Sequence, residues 1–233
     1  MYLMKKISLH TLIVAVLVLL TSNTVCANAT ESPTEASTTV IAEVIWVEFD
    51  GVAHHVYLSA LVNDSWSEPE SIYQSNNPLT TPTLNRVDSN AQRANIAVWT
   101  EQRKTSSVLM QSLRVDGEGW LPATLLQGRG TSNMAPNLVL DLQDNLWLFW
   151  SGANNGLSDI QYRVRSTGAW SPAQTAHSPN EVPDLAPTLK LLRDGTIQLN
   201  WQSFSLAATT YVNARQEFRA DQNLLDQMSS VDE

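Results

Sequence analysis

The residues of this chain best suited to chemistry are amides and carboxylates gathered in two kinds of short polar stretch. One kind precedes a proline. Asn76, Asn77 and Thr80 come before Pro82, Thr131, Asn133 and Met134 before Pro136, and Asn180, Glu181 and Asp184 before Pro187. The other kind follows a tryptophan-bearing apolar run. Asp50 follows Trp46, Glu101 and Arg103 follow Trp99, and Asn154, Asn155 and Asp159 follow Trp150. Side chains that both donate and accept, set beside carboxylates, suit sugar hydroxyls or a cation. The same residue types also make turns for backbone reasons alone. No recognised catalytic pattern accompanies them: the chain has no Gly-x-Ser-x-Gly, no phosphate loop and no carboxylate pair at an informative spacing. His54 and His55 are adjacent, so in a strand they point to opposite faces and cannot share one metal. His177 lies in a polar stretch. On this reading no catalytic residue, no metal site and no cofactor is expected.

The elements that must hold these stretches are set out by tryptophan. Trp46, Trp99, Trp150 and Trp201 recur at intervals of 53, 51 and 51 residues, and Trp66, Trp120 and Trp170 follow the first three at 20, 21 and 20. Pro82, Pro136 and Pro187 open units reading TPTL, APNL and APTL. Only Trp147 falls out of register, and its apolar strand marks it as core. Within a unit the apolar runs are short, alternate with period two or are apolar throughout, and are bounded by Asp, Asn, Gly or Ser. The stretch from Ala135 to Ser178 shows four of them, at Pro136–Leu142, Asn145–Ser151, Ile160–Arg165 and Trp170–Thr175. Four strands, a to d, repeating every fifty residues or so predict β-propeller blades. Strand b is apolar on both faces in Leu146–Trp150, which requires a neighbouring sheet on each side. Packing between blades is the expected role of the first tryptophan series.

With WSEP and WSP following a Gly/Asn/Asp turn, and APxL opening the next unit, residues 43 to 215 resemble the BNR or Asp-box repeats of sialidase-like propellers. The boxes themselves are remnants: Asp116-Gly117-Glu118-Gly119-Trp120, Ser166-Thr167-Gly168-Ala169-Trp170 and Asn63-Asp64-Ser65-Trp66. In that family such boxes are folding hairpins. The resemblance implies a propeller and raises glycosidase activity as an expectation to weigh. Those enzymes use an arginine triad around a carboxylate, a tyrosine nucleophile and six units. Here only Arg114, Arg163 and Arg165 stand on comparable strands, no Arg-Ile-Pro start is present, and Tyr211 with Glu217 is an unsupported nucleophile pair.

Residues 1–27 read as a cleaved secretory signal peptide. Lys5 and Lys6 precede an apolar run from Leu9 to Leu20, and small residues surround Ala27. Removal takes away the two lysines and Cys26, leaving 12 basic against 23 acidic residues, a net charge of −11 and no cysteine. An exported domain without disulfides depends on its apolar core. Its charge argues against nucleic acid and anionic membrane as partners. Residues 28–40 are rich in Thr, Ser and Glu and read as a flexible linker. The repeat domain is expected at 41–215 and an acidic tail at 216–233. Ala214 onward reads as a short amphipathic helix or as a segment without fixed structure.

The expected fold is therefore all-β, a propeller of about four blades of four-stranded antiparallel sheets. It either closes as a four-bladed ring or forms an open arc completed by a partner. Strand a of the first unit is weak, with Pro33 and residues 33–40 its only trace, and strand d of the fourth is missing. Strand parity places the d–a and b–c connections on one face. That face collects Asn77, Thr80, Asn133, Met134 and Asp184 with Glu101, Arg103, Asn154, Asn155 and Asp159. The favoured function is an exported, secreted or periplasmic, non-catalytic binding or assembly module. Its expected partner is a protein, or a second copy meeting the open blade edges, since unpaired edges invite pairing. The alternative is a glycan-binding protein or sialidase-like glycoside hydrolase.

Overall fold

A computed structural model describes residues 16–18, 40–89, 92–115, 118–154, 156–166 and 168–219. Every element in it is a β-strand, and the strands form four antiparallel sheets in chain order. The first holds β1 (Val16–Val18), β2 (Val40–Phe49), β3 (His54–Val62), β4 (Ser65–Trp66) and β5 (Glu70–Ser75). The second holds β6 (Leu79–Ser89), β7 (Gln92–Gln102), β8 (Ser107–Val115), β9 (Gly119–Trp120) and β10 (Thr124–Gln127). The third holds β11 (Ser132–Leu140), β12 (Leu146–Asn154), β13 (Leu157–Ser166), β14 (Ala169–Trp170) and β15 (Gln174–Thr175). The fourth has only β16 (Asp184–Leu191), β17 (Ile197–Ser205) and β18 (Thr210–Phe218). The fold is that of a β-propeller, with the a-to-d strand order predicted from the repeat.

The sheets stack face to face through three apolar cores. Ile45, Val56 and Leu58 of the first sheet meet Ala97, Trp99 and Met110 of the second. Ile96, Val98 and Leu109 on its other face meet Leu146, Leu148 and Trp150 of the third. Trp147, Phe149 and Tyr162 then meet Ile197, Leu199 and Trp201 of the fourth. Leu146 to Trp150 are all buried, because alternate side chains of a strand serve opposite faces and both faces are covered. Trp147 is core, its indole donating to Asp141 Oδ2 at 2.8 Å. The second tryptophan series lies nearer the surface, and Trp66 is 49% exposed. Among the described residues no apolar core joins the fourth sheet to the first.

Two backbone devices recur with the repeat. Thr81, Ala135 and Ala186, each just before its proline, adopt φ of 47°, 52° and 53°. Each sits at a break in register between strands a and b. These are β-bulges, which bend the innermost strand. Because the chain continues as strand on both sides of the bulge, strand a begins three or four residues before the proline, earlier than the sequence predicts. Strand d, expected as one run, is split in two. The residue after each tryptophan still donates to strand c, at Ser67 N to Ala60 O (2.8 Å), Leu121 N to Leu113 O (2.7 Å) and Ser171 N to Val164 O (2.8 Å). Pro69, Pro122 and Pro172 then interrupt the ladder, because proline has no N–H to give.

The ends differ from expectation in two ways. The innermost place of the first sheet is filled by Val16–Val18 against Ile45–Glu43, out of the apolar run read as a signal peptide. Residues 33–39, the trace expected there, and the remainder of the linker at 28–39 lie outside the described residues. At the other end β18 runs to Phe218, past the expected domain boundary, and is neither helical nor shapeless. Phe218 packs on Trp147, Phe149 and Tyr162, with ring centroids 6.1, 5.2 and 5.5 Å away, and that burial carries the strand onward. The rest of the acidic tail, from 220, lies outside the described residues.

Candidate functional site

The polar residues singled out from the sequence sit mostly in strand ends, not in loops, and fall into separate groups at the seams between sheets. At the first seam Glu101, buried near the end of β7, accepts from Tyr73 Oη at 2.7 Å, Asn77 Nδ2 at 3.2 Å and Arg103 Nε at 3.0 Å. Burial pushes the Glu101 carboxyl upward, but the bonds from Tyr73, Arg103 and Asn77 outweigh it and hold it below the usual range. Tyr73 is raised by burial and by the Glu101 charge. Thr80 lies beside this group in β6, opposite Thr100.

At the second seam Asn133 is 1% exposed and fully engaged. Its amide donates to the carbonyls of Ser107 and Arg129, both at 3.0 Å, and its Oδ1 accepts from the Trp150 indole at 3.0 Å. Asn133 is thus a cap on a core tryptophan and presents no polar group to a ligand. Met134, its neighbour on the other face of the strand, is 42% exposed. Asn154 ends β12, and Asn155 lies outside the described residues. Arg163, on strand c, reaches Gln127 Oε1 at 2.7 Å and the Leu126 carbonyl at 3.1 Å.

The third seam joins Asp159 of β13, His177 and Asp184 at the start of β16. His177 Nε2 lies 3.3 Å from Asp184 Oδ2 and 4.0 Å from Asp159 Oδ1. Asp184 is wholly buried, with Trp201 Nε1 donating to Oδ1 and Asn180 Nδ2 to Oδ2, both at 2.7 Å. His177 stacks on Trp201 with centroids 5.4 Å apart, and Tyr73 lies tilted against Trp99 at 5.1 Å. Burial pushes the Asp159 carboxyl up, the His177 ring opposes this, and the Asp184 charge adds to it. Asp50, on the first sheet, holds a different histidine: His55 Nε2 is 3.0 Å from its Oδ2. Backbone N–H bonds from Ala53 and Val52, then His55, lower Asp50 to about 2.

Tyr73 and His177 were not singled out by sequence reasoning. Both stand seven residues after a second-series tryptophan, Trp66 and Trp170, as Gln127 does after Trp120. That offset is the signal that places one polar or aromatic side chain on each seam.

The comparisons with known proteins agree with the fold. No protein-family model matches the chain, and no curated protein matches it in sequence. Among solved structures it is similar to the endo-arabinase from Bacteroides thetaiotaomicron VPI-5482, with 13% identity, a TM-score of 0.50, and coverage of 77% of this chain and 72% of that one. A thermostable family-43 glycoside hydrolase also aligns, with 11% identity, a TM-score of 0.43, and coverage of 76% and 72%. At 13% identity the likeness to the endo-arabinase is one of propeller fold. The resemblance to BNR repeats holds at that level, with no family match beneath it.

Proposed function

We propose that this chain is an exported, non-catalytic propeller module that loses β1 with its leader and assembles through the outward face of its first sheet. The observation that carries the reading is the place of Trp46. Its counterparts Trp99, Trp150 and Trp201 each face the preceding sheet and are buried there. Trp46 alternates with Ile45 and Val47, which pack toward the second sheet, so it points the other way. Half-buried Tyr57 lies beside it, with centroids 5.6 Å apart, half-buried Val44 extends the row, and Ala42 at its end is buried. The far end of the stack is different. The outward face of the fourth sheet carries Gln198, Asn200, Gln202, Asn213, Arg215 and Glu217, a surface suited to water. Among the described residues, polar side chains face outward at one end of the stack and an aromatic row at the other. A second copy, related by a two-fold axis that brings the Trp46 faces together, covers that row with no further component.

Hydrolysis of a glycoside needs two carboxyl groups about 5–10 Å apart, at least one of them free to exchange a proton. Glu101 and Asp184 are instead held by three and two donors, and the freer carboxyl, Asp159, has its oxygen within 4.8 Å of that of Asp184, short of this spacing. The test is light scattering on the exported chain, with and without Trp46→Ser, alongside fluorogenic arabinoside and sialoside assays. A dimer that becomes a monomer on substitution is the expected result. A monomer at high concentration that captures no partner, or turnover of either sugar, would sink the reading. A hetero-complex lost in Trp46→Ser would keep the face and replace the second copy.

A further inference from the structure

We propose that Asp159, His177 and Asp184 bind one divalent cation of the zinc or first-row transition type. The three donor atoms lie within 4.8 Å of one another, with Nε2 at 3.3 and 4.0 Å from the two oxygens. Metal–ligand bonds of about 2.0–2.2 Å to imidazole nitrogen and carboxylate oxygen set neighbouring donors roughly 3–4 Å apart. One nitrogen and two carboxylate oxygens are a donor set for such ions and contain no soft thiolate.

The surroundings hold these donors as second-layer contacts hold metal ligands. His177 Nδ1 lies 2.9 Å from the Ser178 carbonyl, to which it donates, so in the neutral ring Nε2 is the acceptor, and it takes the Ile160 N–H at 3.2 Å beside the two carboxylates. Trp201 and Asn180 fix the two oxygens of Asp184. The Asp159 side chain is 35% exposed, which leaves the site open on one side for water ligands and for entry of the ion.

Comparison with the other seams supplies an independent argument. At the first seam the side chain in the place of His177 is Tyr73, a donor that meets the carboxylate Glu101, and Arg103 adds positive charge. At the second it is Gln127, which meets Arg163. At the third two carboxylates face each other across a ring nitrogen, and among the described residues neither pairs with a lysine or arginine. Burial of such charge is costly unless it is compensated. A cation supplies the compensation. It takes the Nε2 lone pair in competition with the Ile160 N–H, 3.2 Å away.

The test uses chelator-treated full-length protein titrated separately with zinc, manganese and calcium chlorides at neutral pH. Calorimetry reads stoichiometry, and the His177 ring nitrogen resonances report the site directly. One ion per chain is expected, with the His177 signals shifting and affinity at least tenfold weaker in Asp159→Asn and His177→Gln. Asp159→Asn keeps the shape of a half-buried side chain and removes only its charge, so it decides the matter if His177→Gln does not fold. Asp50→Asn, which removes the two-residue pair with His55, is expected to bind as the wild type does. The proposal is overturned if none of the three ions binds, if Asp159→Asn binds undiminished, or if only Asp50→Asn loses the ion. A His177 ring that titrates with pH yet ignores all three ions would also overturn it, in favour of a histidinium–aspartate pair.

Discussion

Replacing Asn133 by leucine tests whether this side chain is a structural cap or a ligand group. The protein already contains the outcome at an equivalent place. Leu79 lies opposite Glu101, two residues after Trp99, as Asn133 lies opposite Gly152, two residues after Trp150. There the Trp99 Nε1 is buried without a hydrogen-bond partner. A leucine therefore fits the position, and the price is an orphaned indole N–H. Leaving that group unsatisfied costs about 1–3 kcal/mol, and the two lost amide bonds to Ser107 and Arg129 about 0.5–1.5 kcal/mol each. Burial of the added apolar surface returns roughly 1–2 kcal/mol. The net loss is about 2 kcal/mol, or a melting temperature lowered by roughly 4–8 °C in a domain of this size. Urea unfolding followed by tryptophan fluorescence measures it. A cycle with Trp150→Phe isolates the indole bond, and a coupling of about 0.5–1.5 kcal/mol is expected. A variant within 0.5 kcal/mol of the wild type, or strictly additive single changes, would refute the cap.

The remaining predictions concern charge and backbone. The Asp159 carboxyl is raised in the folded chain, so it destabilises once pH exceeds its folded value, and stability rises as pH falls through that value. Asp159→Asn is therefore expected to melt higher than the wild type at neutral pH in chelator, by calorimetry, and a lower melting point would contradict the burial argument. Asp50 is lowered to about 2, so its contribution is present above the unfolded value near 4 and is lost as pH falls toward 2. Asp50→Asn should flatten the stability curve across that acid window and leave its slope near neutrality unchanged. A Cβ on Gly152 would lie 2.7 Å from Gln161 Cδ and 2.9 Å from Trp150 Nε1. Gly152→Ala is expected to cost about 1–3 kcal/mol in chemical denaturation, and a neutral result would mean that the Trp150 indole can move. Ala135 has a positive φ ahead of Pro136, so Ala135→Val is expected to cost about 1–2 kcal/mol and Ala135→Gly to be tolerated. Equal melting of the two variants would argue against strain there.

The periodicity was legible because a stacked sheet imposes it. Each blade repeats one packing problem, so Trp99, Trp150 and Trp201 return at one strand position and fill the successive seams. Alternation and the Pro-opened units place strands a to c within a few residues. The split in strand d and the bulge before each proline depend on hydrogen bonds to strand c and on register with strand b, which alternation does not encode. Local sequence misreads the surroundings of the candidate residues. Asn133 and Asp184 look like loop residues when only local sequence is read, yet each ends buried under an indole 17 positions later in the chain. Glu101 is tied to Tyr73 and Asn77 from the preceding unit.

Composition and spacing alone determined that this chain is all-β, repetitive and built of sheets covered on both sides, because those properties follow from which side chains must leave water. Tertiary structure alone decided that His177 meets Asp159 and Asp184, and that among the described residues Trp46 points away from the second sheet. Both are facts about which sheet neighbours which. Contacts between sheets join residues far apart in sequence, and nothing in the local chain encodes who stands on the other side of a seam.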